Sequence, residues 1–109
     1  MCWFCEISQN GSQCPSVDNK LFHVAMDNTR KCLQLNPGVD PVMCETAVLS
    51  DNDWYTFHTH PRGVDYPSDV DIETTKRLGK EYLCIGLVPE NRTICFHEND
   101  GFQNIVCEF

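Results

Sequence analysis

The sequence predicts an α/β domain, a mixed β-sheet with few flanking helices, and three stretches carry that reading. Tyr82 to Val88 is a nearly continuous apolar run, the pattern of a strand covered on both faces. Trp54 to His60 is dense in aromatic and β-favouring residues. Ser68 to Leu78 is signed as a helix at both ends. With 109 residues there is room for one core, so residues 1–109 are expected to form a single domain.

Taken in order, Cys2 to Ser8 reads as a first strand, followed by the turn residues Gln9-Asn10-Gly11-Ser12. Lys20 to Asp27 reads as a second strand that pairs with the first as a hairpin. Asn36-Pro37-Gly38 breaks structure, and Val39 to Leu49 reads as a helix with Val42, Thr46 and Leu49 on one side. The strand Trp54 to His60 follows and is stopped by Pro61.

In the next helix Ser68 is the N-cap. Asp69 and Asp71 suit the positive end of the dipole, Lys76 and Arg77 the negative end, and Gly79 closes it. After Tyr82 to Val88, Thr93 to Glu98 and Phe102 to Phe109 complete a meander through the turn Asn99-Asp100-Gly101. The expected order is β, β, α, β, α, β, β, β.

Sixteen acidic and eight basic side chains give a net charge of −8, which opposes binding to a phosphate backbone. Nucleic acid is therefore not an expected partner. The longest apolar run falls far short of a membrane span, and no signal peptide is visible, so no membrane association and a cytoplasmic location are expected. In that compartment the eight cysteines are expected to be reduced, several of them packed as small hydrophobes. Disulfides, or a second metal site around Cys2, Cys5 and Cys14, are the alternatives.

The chemistry concentrates in His58-Thr59-His60-Pro61, six residues, Ser68, two residues, Asp71. Strand residues two apart share a face, so His58 and His60 can offer two imidazoles to one point. Asp71, in the first turn of the following helix, can fold back to add a carboxylate. Two imidazoles, a carboxylate and a water make a four-coordinate zinc site with an open position, the catalytic arrangement. Ser68 and Asp71 also form a capping box, a structural role that can coexist with a catalytic one. His23, His97 and Trp54 are read as structural.

The same string resembles the signature of the JAMM/MPN metalloprotease family, H-[ST]-H-P-x6-S-x2-D, at every fixed position. The likeness continues through the helix, the Tyr82 to Val88 strand and the closing hairpin. It is nearest in kind to compact archaeal and bacterial members. It implies a cytidine-deaminase-like sheet, zinc held by His58, His60 and Asp71, and Ser68 as hydrogen-bond donor to the oxyanion. The implied activity is hydrolysis of an isopeptide or peptide bond by zinc-activated water, commonly one joining a ubiquitin-like modifier to lysine.

Family members carry a general-base glutamate at the start of the first strand, followed by an apolar run ending in glycine. Glu6 lies in the expected region but off that pattern. Glu45 is the alternative, and a chain without a competent base is the third case. Other functions left open are a non-catalytic binding or scaffold module, a RadC-like relative and a phage or cell-wall peptidase. The short chain implies help in recognition from a homodimer or a partner subunit.

Overall fold

The computed structural model describes residues 19–49 and 55–108. Within them five strands form one sheet in chain order: β1 (Ala47–Leu49), β2 (Tyr55–His60), β3 (Tyr82–Leu87), β4 (Arg92–His97) and β5 (Ile105–Glu108). β2 and β3 are parallel and the other neighbours antiparallel, so the sheet is mixed. A parallel step needs a crossover, which helix α2 (Asp69–Arg77) supplies, while helix α1 (Asn19–Leu35) precedes the sheet. This is the expected α/β class.

Side chains alternate along a strand, so the sheet has two faces and two cores. On one face Tyr55, Phe57, Tyr82, Cys84 and Cys95 pack against Phe22, Ala25 and Met26 of α1. Phe22 stacks on Phe57 with ring centroids 4.2 Å apart. Gly86 allows that approach, since a Cβ there would stand 2.7 Å from Phe57 Cζ. On the other face Leu83, Ile85, Leu87, Ile94 and Phe96 pack with Phe102 and with Ile72 of α2. β3 is thus buried on both sides, which is why its sequence is apolar throughout rather than alternating.

Two expected elements differ. Lys20 to Asp27 is not a strand but the first half of α1. Phe22, Ala25, Met26 and Thr29 are buried at the spacing i, i+3, i+4, i+7, a helical period, while Leu21 and Val24 face outward. Val39 to Leu49 is not a helix either. Pro41–Cys44 makes one 3-10 turn capped by the Asp40 carboxylate, Glu45 is extended, and Ala47–Leu49 pairs with β2. Pro41 fits the first position of a helical turn, but the backbone after Cys44 finds its partners on β2.

The later elements stand near their expected places, with Ser68 as N-cap of α2 and Gly101 at φ 68°, but the last strand starts at Ile105 because Phe102, at φ 61°, still belongs to the turn. The expected hairpin falls with its second strand, which is helix, while the expected strand Cys2 to Ser8 and Trp54 lie outside the described residues.

Cys32 and Cys44 are joined as a disulfide with Cα atoms 5.7 Å apart, and Cys107 is also disulfide-bonded, so the expectation of reduced cysteines fails for these residues. Cys84 and Cys95 are buried in the core, as expected of small hydrophobes. Cys2, Cys5 and Cys14 lie outside the described residues. No helix among the described residues is long and apolar enough to cross a membrane.

Candidate metal centre

β2 carries Tyr55, Phe57 and Thr59 toward α1 and therefore turns Thr56, His58 and His60 toward α2. The Nε2 atoms of His58 and His60 lie 2.7 Å apart. Asp71 Oδ2 lies 3.1 Å from His58 Nε2 and 3.6 Å from His60 Nε2. Asp71 reaches this position from the first turn of α2, held by the capping box. Its N–H donates to Ser68 Oγ at 3.1 Å, and its carboxylate accepts the Ser68 N–H at 2.9 Å. Thr75 ties the helix to the strand through a 2.8 Å hydroxyl contact with Thr56.

The orientation of His60 is set from behind. Its Nδ1 lies 2.7 Å from the Val64 carbonyl oxygen. A carbonyl can only accept, so Nδ1 carries the proton and the Nε2 lone pair points into the cluster. Two imidazole nitrogens and a carboxylate oxygen, all within 4.8 Å of one another, converge on one point. A proton on His58 Nε2 can be shared with His60 Nε2 and the Asp71 carboxylate, and the same three atoms could hold a metal ion.

The titration of the cluster reflects that. Burial raises the Asp71 pKa, but hydrogen bonds from His58 and His60, the charge of His58 and the Ser68 N–H outweigh it and hold the carboxyl well below its usual range. Burial likewise pulls His60 down. The Asp71 hydrogen bond, the Val64 carbonyl and the charges of Asp71 and Glu45 overcome it and raise the imidazole above its usual value.

A cavity of about 210 Å³ adjoins the cluster, lined by Glu45, His60, Arg62, Val64, Tyr66 and Ser68. Glu45 arrives there through the β1–β2 register. Ala47 pairs with His58, and the Thr59 N–H donates to the Thr46 carbonyl, so the next pair outward sets Glu45 opposite His60 on the same face. Ser68 Oγ accepts the Asp71 N–H, which leaves its own O–H to donate into the cavity. On the far side, Ala47, Thr56, His58, Asp71 and Thr74 help line a second cavity of about 160 Å³. The cluster lies between the two.

The structure therefore brings together His58, His60, Asp71, Ser68 and Glu45. Glu6 lies outside the described residues. Reading Glu45 as helical made its reach to the cluster harder, whereas the strand pairing brings it alongside. No local signal marked this, since Glu45 stands just before Ala47–Leu49, which is strand through its pairing with β2. Val64 was not legible, because its carbonyl does the work and not its side chain. His97 accepts the Asn99 N–H and packs edge-on to Tyr82, as a structural residue does, and His23 sits on α1. Comparison of the chain with protein-family models, curated proteins and solved structures returns no match.

Proposed function

We propose that this chain is a zinc-dependent peptidase or isopeptidase of the JAMM/MPN type. The observation that carries the reading is the convergence of His58 Nε2, His60 Nε2 and Asp71 Oδ2 beside a cavity lined by Glu45 and Ser68. The donor set fits zinc: two imidazoles, one with its outer nitrogen already bonded to a carbonyl, and one carboxylate, which leave a fourth position open. Zinc held there supplies a Lewis acid and lowers the pKa of water.

The remaining chemistry belongs to the chain. Glu45, in place of Glu6, takes the proton of the attacking water and delivers it to the departing amine. Ser68 Oγ–H donates to the oxyanion that forms on the carbonyl oxygen. The Val64 carbonyl fixes the imidazole of His60, and the capping box fixes Asp71, so the ligands need no reorganisation as the reaction proceeds. The substrate is a peptide or isopeptide bond, such as one joining a ubiquitin-like modifier to lysine, presented as an extended segment to the cavity. A second copy of the chain or a partner subunit completes recognition. The net charge of −8 disfavours a nucleic-acid partner.

The Cys32–Cys44 disulfide favours an oxidising compartment over the expected cytoplasmic one, except in hyperthermophiles, whose intracellular proteins carry such bonds. The test is a panel of isopeptide and peptide substrates with zinc-loaded Glu45→Gln and Glu6→Gln variants. Glu45→Gln is expected to keep zinc and lose about 10²-fold or more in kcat, while Glu6→Gln has little effect. The reverse pattern refutes the assignment of Glu45. Absence of cleavage by the zinc-loaded parent protein refutes the activity.

A further inference from the structure

Glu45 sits on a segment with little internal structure. Before it lies a single 3-10 turn in which Val42 and Met43 are exposed and Cys44 alone is buried. That turn is fastened at two points. Asp40 pairs with Arg62 across solvent, an exposed contact of the kind that restrains weakly. Cys44 is bonded covalently to Cys32 near the end of α1. On the other side of Glu45, Thr46 is held three ways. Its N–H donates to Thr59 Oγ1 at 2.8 Å, its carbonyl accepts the Thr59 N–H at 3.0 Å, and its hydroxyl lies 3.1 Å from Thr29 Oγ1. Glu45 is thus bracketed, by a covalent bond on one side and hydrogen bonds on the other. The covalent bracket is the only strong one ahead of it among the described residues.

We propose that the Cys32–Cys44 disulfide is a positioning element for Glu45, so that turnover at the metal centre depends on the oxidation state of this bond. The inference rests on the assignment of Glu45 as general base. The chemistry of release is thiol–disulfide exchange with a dithiol. Cys32 is the half-buried partner and Cys44 the buried one, so the attacking thiolate meets Cys32 Sγ. The S–S bond breaks, and its electron pair leaves on Cys44 Sγ, which takes up a proton. The second thiolate of the dithiol then attacks the mixed disulfide and frees Cys32 as a thiol. The dithiol ends as a disulfide, having given two electrons and two protons.

Freed of Cys32, the 3-10 turn retains its cap and the exposed ion pair, and the backbone at Glu45 gains freedom. His58, His60 and Asp71 are held by β2 and α2, which the disulfide does not touch. The effect should therefore fall on proton transfer and leave the metal in place. A displacement of about 1 Å at a reacting group is enough to cost on the order of 10²-fold.

Because a reductant would also reach the disulfide of Cys107, the experiment uses the full-length double variant Cys32→Ser, Cys44→Ser, alone and combined with Glu45→Gln. The readouts are zinc content, kcat and KM, and amide exchange at Thr46. The expected result is unchanged zinc, KM within about twofold, a fall in kcat of at least tenfold, faster exchange at Thr46, and a combined variant no slower than Glu45→Gln alone. An unchanged kcat overturns the proposal, as does a fall that multiplies fully with that of Glu45→Gln. Should the parent protein cleave nothing, the functional reading fails. The exchange rate still decides the clamp, and an unaltered rate at Thr46 overturns it.

Discussion

Thr59→Val is expected to destabilise the protein although it barely changes the volume of the side chain. Thr59 Oγ1 accepts the Thr46 N–H at 2.8 Å and lies 3.0 Å from Thr29 Oγ1, deep between α1 and the β1–β2 pair. Valine fills the same space and offers no acceptor. Thr29 retains the Ala25 carbonyl at 3.1 Å, so its loss is small, and the Thr46 N–H is the group left stranded. An unsatisfied buried donor costs about 1–3 kcal/mol, and this partly buried one about 1–2 kcal/mol. For a domain near 100 residues that lowers Tm by roughly 5–10 °C. The control is Thr93→Val. Among the described residues Thr93 Oγ1 is fully buried with no hydrogen-bond partner, so replacing it with a methyl group should leave Tm unchanged or raise it. Thermal unfolding followed by circular dichroism separates the two. Equal shifts in both variants, or none in Thr59→Val, would refute the reasoning.

Ser68→Ala should keep zinc, lose about 10²–10³-fold in kcat through the missing oxyanion donor, and lose about 1 kcal/mol of stability through the missing cap. An unaltered rate in the folded variant would reduce Ser68 to its capping role. Zinc affinity should fall as pH drops below the raised pKa of His60, by about tenfold per pH unit for each proton that zinc must displace, as read by competition with a chelating dye. Without metal the sign differs. His60, with its pKa raised, supports the fold below its ordinary value of 6.5, and that support is lost as pH rises through the folded value. Asp71, with its pKa lowered, supports it above 3.8, and that support is lost as pH falls through the folded value. Melts in chelator should show this contribution greatest between those limits, and with zinc present the optimum should move to higher pH.

The segment from Tyr55 to His97 was legible because each of its signals is local. Ser68 and Asp71 cap their own helix, Pro61 ends its own strand, and the run Tyr82 to Leu87 states that both faces are covered. The first half was harder. Phe22, Ala25, Met26 and Thr29 carry a helical period, but Leu21 beside them and Val24 among them blur it into an apolar block. Ala47–Leu49 is strand because β2 offers it partners, a tertiary fact that three residues cannot announce. That error carried into the site, since Glu45 is near His60 only through the strand register. The Cys32–Cys44 bond is of the same kind, because spacing does not determine pairing among eight cysteines.

The central claim is that His58, His60 and Asp71 form a zinc centre, and metal analysis of the purified chain tests it most directly. One zinc per chain is expected, falling to none in the double variant His58→Ala, His60→Ala, while the single variants Cys32→Ser and Cys44→Ser retain it. A parent protein that binds no zinc, or a double variant that keeps its full complement, would contradict it.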